Sequence, residues 1–135
     1  MSVEVHIVDG PIPVPLTSPA LRGNQCPEPH ATGATLTFEG LVRADESGRT
    51  ITALDYQTYD PMAQQQLELL AQDILARHGL LAISLTHSRG RVPVGDCSLR
   101  ITIHSRHRKE ALAGMDELID RLKRDVPIWK SAVSA

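Results

Sequence analysis

The chain has 135 residues, of which 41% are hydrophobic, so it fits one domain whose core needs no disulfide framework. Its formal net charge of −2 and its four aromatic residues exclude the strongly basic, base-stacking surface typical of nucleic-acid binding. Because it shows no signal-peptide pattern, no membrane-length apolar run and no C-x-x-C pair, we expect a cytoplasmic protein that binds neither a membrane nor a metal.

The first sixty residues predict three strands and a long loop. Residues 1–32 read as a strand followed by a Pro-rich loop, and residues 33–131 carry the motifs of the single domain, 1–135. A turn at residues 45–48 separates the second and third strands, which we expect to pair as a hairpin. Alternating apolar and polar residues place these strands at 3–8, 34–42 and 50–58.

The second half of the chain predicts helices alternating with strands. Asp60 is the expected N-cap of the first helix, which Gly79 ends. Ser105 is the expected cap of the second helix. This order predicts an α+β fold with two principal helices on one face of a mainly antiparallel sheet. Strands are predicted at 80–87 and 97–104 around a turn at 92–96, and the buried stripe of the second helix is Ala111, Met115, Leu118, Ile119 and Leu122.

The segment around Pro127 carries the clearest chemical signal. Pro127 cannot continue a helix, so Lys123 should lie near a helix end and Lys130 just beyond the break. We expect the break to be anchored by Val126, Pro127, Ile128 and Trp129, which would hold both ammonium groups against an apolar wall. Such lysines suit an anionic substrate or proton transfer. The alternative is a basic helix C-terminus that only complements the helix dipole.

A second cationic cluster lies at the start of the second helix. His107, Arg108 and their neighbours oppose the helix dipole there, a conflict that a bound anion would relieve. Arg43 ends the second strand, and its planar guanidinium suits phosphate. We expect the fold to bring Arg43, His107 and Arg108 together as an anion site. The alternative is that all three are solvated surface side chains.

The sequence indicates neither a metal site nor a covalent nucleophile. The closest histidine spacing, His104-x-x-His107, spans a strand end and a helix start, and no H-E-x-x-H motif is present. His87 lies in a strand and is expected to be structural. Glycine patterns of the P-loop, dinucleotide-binding and G-x-S-x-G types are also absent from the sequence.

Several ordered segments together resemble the large, catalytic subunit of molybdopterin synthase. The resemblance covers roughly residues 33–131 and depends on the combination of motifs, because each alone is weak. The motifs are Phe38-Glu39-Gly40-Leu41-Val42-Arg43, Tyr59-Asp60-Pro61-Met62, the Gly90 to Asp96 turn, His107-Arg108 and Pro127-Ile128-Trp129-Lys130.

The resemblance implies an α/β-hammerhead fold and a function in molybdenum cofactor biosynthesis. It implies a homodimer with a ubiquitin-like small subunit at each end, which makes a heterotetramer. The C-terminal Gly-Gly thiocarboxylate of that partner would enter a pocket of the large subunit. Its sulfur would be transferred to cyclic pyranopterin monophosphate to form the dithiolene of molybdopterin. The implied activity is that of a sulfurtransferase, and no cofactor is implied besides this substrate.

The resemblance also implies which residues act. Lys123 and Lys130 are the implied catalytic residues, Lys123 by stabilising an oxyanion or moving protons and Lys130 by holding the phosphate or the ring-opening oxygen. Ala132 stands where the family usually has an acidic residue, and the sequence stops at Ala135, so the alternative is a non-catalytic paralogue that binds the small subunit or a phosphorylated ligand. The family's substrate pocket maps onto Leu41, Val42, Arg43, His107, Arg108, Lys123, Lys130, Ser131 and Ala132.

Overall fold

The computed structural model describes residues 2–14 and 28–135, which form seven strands and two helices. Much of the predicted Pro-rich loop, residues 15–27, lies outside the described residues. Neither of the two described helices is long and apolar enough to cross a bilayer. In chain order the elements are β1 (Ser2–Asp9), β2 (Ala34–Leu41), β3 (Asp45–Glu46), β4 (Arg49–Thr58), α1 (Met62–His78), β5 (Ala82–Pro93), β6 (Cys97–Ser105), α2 (Arg108–Asp125) and β7 (Ile128–Ser134).

Strand β5 belongs to two parts of the sheet. Its first two thirds lie between antiparallel β6 and parallel β1, and β2 pairs with the far side of β6. Its last four residues, from Gly90 to Pro93, pair with β4, which also pairs with β7 and β3. We call these parts the main sheet (β2, β6, β5 and β1) and the small sheet (β3, β4, β7 and the end of β5). The predicted α+β class with a mainly antiparallel sheet is confirmed.

Each sheet has its own apolar core. Both helices pack against the main sheet, where Ile74 of α1 and Leu118 of α2 are fully buried among side chains of β5 and β6. Burial of such a side chain contributes about 1.5–3 kcal/mol to the stability of the folded protein. Within the predicted stripe of α2, Ile119 is only partly buried. A smaller cluster supports the small sheet and consists of Val42, Ile51, Leu54 and Val92.

The predicted hairpin between the second and third strands is wrong. Strand β2 pairs with β6, from Ala34 opposite Ser105 to Leu41 opposite Cys97. The turn after β2 instead joins the two-residue β3 to β4. Phe38 of β2 packs against the core under the helices, and the main sheet carries that core. Apolar burial therefore outweighs the short connection that favoured a local hairpin.

Both predicted helix caps are also wrong. The carboxylate of Asp60 accepts hydrogen bonds from Thr58 and Arg89, so it does not cap α1. His107 occupies the N-cap position of α2, and its side chain makes no capping hydrogen bond. The hydroxyl of Ser105 donates to the carbonyl of His107 instead.

One strand extends beyond its predicted bounds, and another was not predicted. Strand β5 continues through the predicted turn to Pro93, which leaves only residues 94–96 as the turn. The segment after Pro127 forms β7, which pairs with β4 from Thr58 opposite Ile128 to Ile51 opposite Ser134. Most of β7 is exposed, so backbone pairing holds it and no apolar pattern announces it.

We predict that Gly33→Ala lowers the free energy of unfolding by about 1–3 kcal/mol, the usual cost of overpacking. A Cβ at this position would lie 2.2 Å from the carbonyl oxygen of Arg106, a backbone atom just before α2. Gly40→Ala is the control, because its Cβ would lie 3.5 Å from Leu99, an ordinary contact. Urea unfolding measures both variants, and equal stability would contradict the prediction.

Candidate functional site

A cavity of about 430 Å³ lies where the main sheet, the small sheet and the C-terminal end of α2 meet. Its walls come from β2, β4, β5, β6, α2 and β7, together with Arg43 after β2 and Glu46 of β3. A volume of this size is within the range of small-molecule sites. The cavity therefore joins residues that are far apart along the chain.

Three cationic side chains line the cavity, and we call them the cationic rim: Arg43, Lys123 and Lys130. All three residues are exposed, so the rim faces solvent. They come from the end of β2, the last turn of α2 and strand β7. Cationic side chains of this kind supply charge-assisted hydrogen bonds to phosphate or carboxylate groups.

The backbone around each rim residue sets its position. Val42 is buried, and its amide and carbonyl bond to the turn before β6, at 3.0 Å to Asp96 and 2.8 Å to Gly95. These two hydrogen bonds fix the backbone at Val42 and so position its neighbour Arg43. The buried side chain of Leu122 does the same for Lys123. Register with β4 fixes Lys130 opposite Tyr56.

One carboxylate contacts the rim. Glu46 Oε1 lies 3.2 Å from Lys130 Nζ, and the two side chains are 25% and 52% exposed, respectively. Ion pairs at such exposure contribute only about 0–1 kcal/mol to the stability of the folded protein. Glu46 therefore orients Lys130 without binding it so strongly that a ligand anion could not compete.

Three less exposed polar side chains line the cavity below the rim, and we call them the polar floor: Tyr56, His87 and Ser98. The hydroxyls of Tyr56 and Ser98 are 2.9 Å apart. The rings of Tyr56 and His87 meet edge to face, with centroids 5.3 Å apart and planes at 82°. The floor thus joins β4, β5 and β6 through direct contacts.

The protonation of His87 follows from its surroundings. Its ring is buried, with a residue exposure of 5%. Nδ1 lies 2.7 Å from the carbonyl oxygen of Ser88, and because a carbonyl only accepts, Nδ1 donates. Burial lowers the pKa of His87, an effect that the bond to Ser88 opposes but does not outweigh. The neutral ring therefore carries its hydrogen on Nδ1.

The structure places the residues that the sequence assigned to the pocket in four locations, of which the start of α2, with His107 and Arg108, is the most distant from the cavity. Leu41 and the three rim residues line the cavity. Val42 lies behind it, in the small core. Ser131 and Ala132 are exposed on β7 opposite Asp55 and Leu54, and they do not line the cavity of this chain.

His107 and Arg108 lie far from the rim within the chain. They are exposed at the start of α2, next to the end of β2 at which Ala34 pairs with Ser105. Arg43 follows the other end of β2, roughly 23 Å away at about 3.3 Å per residue. The expected anion site of Arg43, His107 and Arg108 is therefore not formed within one chain, because β2 separates its members.

The helix break after α2 also differs from expectation. Of the residues expected to anchor the break, Val126 is buried and Ile128 packs against the core, whereas Trp129 is 58% exposed at the cavity and does not anchor it. Lys123 and Lys130 are exposed, so the expected packing of both ammonium groups against an apolar wall is wrong. The paired, largely exposed β7 explains the difference, because it keeps these side chains at the surface.

Sequence reasoning missed the polar floor and Glu46. Only the burial of His87 in its strand had a sequence signal, and that signal predicted a structural role. Glu46 belongs to a strand of two residues, too short for any periodicity. Within residues 2–14 and 28–135, no group of three or more His, Cys, Asp or Glu side chains could hold a metal ion.

Comparison with known sequences identifies relatives. The family model described as MoaE protein matches residues 16–125. The molybdopterin synthase catalytic subunit of Dictyostelium discoideum is 39% identical over 102 residues, which cover 74% of this chain and 65% of that protein. The chain spans between 50% and 53% of the length of four further relatives of the same name.

Solved structures show the same fold. Molybdopterin synthase from Staphylococcus aureus matches with a TM-score of 0.79 at 29% identity, covering 96% of this chain and 90% of that one. A chain from the complex of subunits 1 and 2 of molybdopterin-converting factor from Helicobacter pylori matches with a TM-score of 0.72 at 25% identity. This match covers 97% of the present chain and 89% of the other.

We predict that His87 makes the protein less stable as pH falls below about 6.5, the ordinary histidine pKa. Because burial lowers the folded-state pKa, the unfolded chain takes up this proton first, which favours unfolding. Urea unfolding at pH 7.5 and 5.5 should therefore show a smaller loss for His87→Phe than for wild type. His6→Gln, at an exposed position, is the control.

Two carboxyl groups also affect stability, but at lower pH than His87. The pKa of Glu117 is lowered mainly by a hydrogen bond from His78, and the pKa of Asp125 mainly by one from Arg124. Their stabilising effect is lost only as pH falls through their folded-state pKa values, below about 4.5. If His87→Phe loses as much stability as wild type between pH 7.5 and 5.5, the prediction is contradicted.

Proposed function

The chain belongs to the MoaE protein family, as its motifs indicated, and we propose that it is the catalytic subunit of a molybdopterin synthase. In this role it transfers sulfur from the C-terminal thiocarboxylate of a ubiquitin-like small subunit to cyclic pyranopterin monophosphate. Two transfers produce the dithiolene of molybdopterin. The observation that carries the proposal is the convergence of Arg43, Lys123 and Lys130 on one cavity.

The cavity suits a small phosphorylated substrate. Arg43 offers a planar guanidinium, which binds phosphate through paired hydrogen bonds. The lysines add two mobile point charges to the lining of the cavity, from α2 and β7. We assign substrate binding to the cationic rim, with Leu41 as an apolar wall.

Lys123 and Lys130 have distinct proposed roles. Transfer of sulfur from an acyl carrier passes through negatively charged intermediates, and an ammonium aimed at the developing charge lowers the barrier. We assign this role to Lys123, whose neighbour Leu122 is buried against the core. We assign to Lys130 the role of binding the substrate phosphate or the ring-opening oxygen. Glu46 orients its side chain for this role.

The nucleophilic sulfur belongs to the partner in this proposal. The free thiol of Cys97 is buried, does not line the cavity, and has a pKa raised by burial. Leu41 and Trp129 are each 58% exposed and line the cavity, which gives an incoming Gly-Gly tail an apolar surface. A protein with this mechanism needs no cofactor of its own, and we place it in the cytoplasm.

A homodimer explains the positions of His107 and Arg108. Because β2 separates them from the rim of their own chain, they would reach a substrate only in the cavity of a second copy. We therefore propose shared pockets in a homodimer that binds one small subunit at each end. The two-subunit complex from Helicobacter pylori, whose chain has a similar fold, supports the heteromeric part of this assembly.

Reconstitution tests the function. The chain, a thiocarboxylated small subunit and cyclic pyranopterin monophosphate are mixed, and dithiolene product is measured. The proposal predicts molybdopterin formation that depends on all three components. Binding of the small subunit or the pterin without product would instead support a non-catalytic paralogue, the alternative that Ala132 favours.

We predict that Lys123→Ala reduces product formation about 100-fold or more, the usual cost of removing one oxyanion-stabilising group. Its side chain is exposed, so truncation leaves no cavity and the fold should persist. Lys109→Ala is the matched control, since Lys109 is exposed in the first turn of the same helix. Near-normal turnover in a folded Lys123→Ala protein would remove Lys123 from the catalytic role.

We predict that the purified chain is a dimer at micromolar concentration, because a single chain separates residues assigned to one pocket. Sedimentation velocity measures its mass directly, and Arg108→Ala should remain dimeric while losing turnover. A protein that sediments only as a monomer would contradict the shared-pocket assembly.

A further inference from the structure

The polar floor presents hydrogen-bond acceptors to the cavity. His87 donates from Nδ1 to the carbonyl of Ser88, so its other nitrogen, Nε2, carries a lone pair. Nε2 has no hydrogen-bond partner among the described residues, yet it is not among their fully buried unpartnered atoms. Since His87 lines the cavity, the accessible part of its ring includes this acceptor.

Tyr56 supplies a second acceptor. The hydroxyl of Ser98 also lies 3.5 Å from the carbonyl oxygen of Gly40, to which it can donate. When it does so, the phenol of Tyr56 donates to Ser98 over 2.9 Å, and its own oxygen keeps a lone pair for a ligand. The edge-to-face contact with Tyr56 holds the His87 ring beside this oxygen.

The cavity thus separates two kinds of recognition. Its exposed rim is cationic and selects an anion, whereas its buried floor accepts hydrogen bonds and selects N–H or O–H donors. A ligand that satisfies both carries a phosphate at one end and ring amide, amine or hydroxyl donors at the other. A partly desolvated acceptor left unpaired costs free energy, so the floor disfavours ligands that lack such donors.

We propose that His87 Nε2 and the Tyr56 hydroxyl oxygen bind donor groups of the pterin ring and so determine specificity for it. This assignment rests on the proposed function for the identity of the substrate. It gives His87 a binding role in place of the structural role that its strand position indicated. The lowered pKa of His87 supports it, because a neutral ring keeps the lone pair available.

Equilibrium binding tests the proposal without requiring turnover. The dissociation constant of cyclic pyranopterin monophosphate is measured on the full chain, and inorganic phosphate is then used to displace it. We expect His87→Phe, which keeps a ring against Tyr56, to weaken pterin binding about tenfold, the effect of one lost hydrogen bond. Its displacement constant for phosphate should stay within about twofold of wild type.

Three further variants set the scale. Arg43→Gln should weaken both pterin and phosphate, because it alters the rim. Tyr56→Phe should weaken the pterin alone, and His87→Gln, which restores an acceptor, should recover part of the loss. Pterin binding by His87→Phe within about twofold of wild type, or an equal loss of pterin and phosphate binding, would overturn the proposal.

If His87→Phe fails to fold, an NMR measurement on the wild-type protein tests the proposed contact of His87 Nε2 with the pterin. The ¹⁵N resonance of Nε2 should shift when the pterin is added and stay unchanged when inorganic phosphate is added. No shift with bound pterin, or no pterin binding by wild type, would overturn the proposal. Binding without product in the reconstitution would reject the sulfurtransferase function and leave the floor assignment standing.

Discussion

Strand β5 hydrogen-bonds to both sheets, and the candidate site depends on this shared strand. Its pairing changes at Gly90, whose φ of +86° lies in the region that favours glycine. Up to that residue β5 belongs to the main sheet under the helices, and beyond it β5 pairs with β4. Because Tyr56 of β4 pairs with Gly90, its ring reaches His87, and the polar floor forms at the junction.

The rim and the floor use different electrostatic settings. The rim residues are exposed, where ion pairs such as that of Lys130 with Glu46 are weak and exchange readily with a ligand anion. The floor is largely shielded from water, where each hydrogen bond matters more and an unpaired group costs more. Attraction at the rim and selection at the floor are therefore separate contributions to binding.

The sequence predicted the parts of this arrangement that depend on local pattern. Helix α2 was identified from its apolar stripe, and Lys123 and Lys130 were placed near its end because Pro127 stops a helix. Arg43 was identified from its position at the end of a strand, and the resemblance to a known family assigned it to the same pocket as the two lysines. These three side chains do meet at one cavity. Local signals thus identified the rim, although they did not show that it is exposed.

The sequence did not predict what depends on non-local pairing. The floor needs β4, β5 and β6 in a defined register, and no local pattern shows that β2 joins β6 instead of β4. For the same reason the separation of His107 from Arg43 was missed. The tautomer of His87 depends on its contact with the carbonyl oxygen of Ser88, which no sequence pattern predicts.

The central claim is that the cavity between the two sheets binds a phosphorylated pterin. A crystal structure of the chain with cyclic pyranopterin monophosphate tests it most directly. The account predicts the phosphate within hydrogen-bond distance of Arg43 or a rim lysine, and the ring system against His87 and Tyr56. A ligand bound at the start of α2, away from every rim residue of either copy and with the cavity empty, would contradict it.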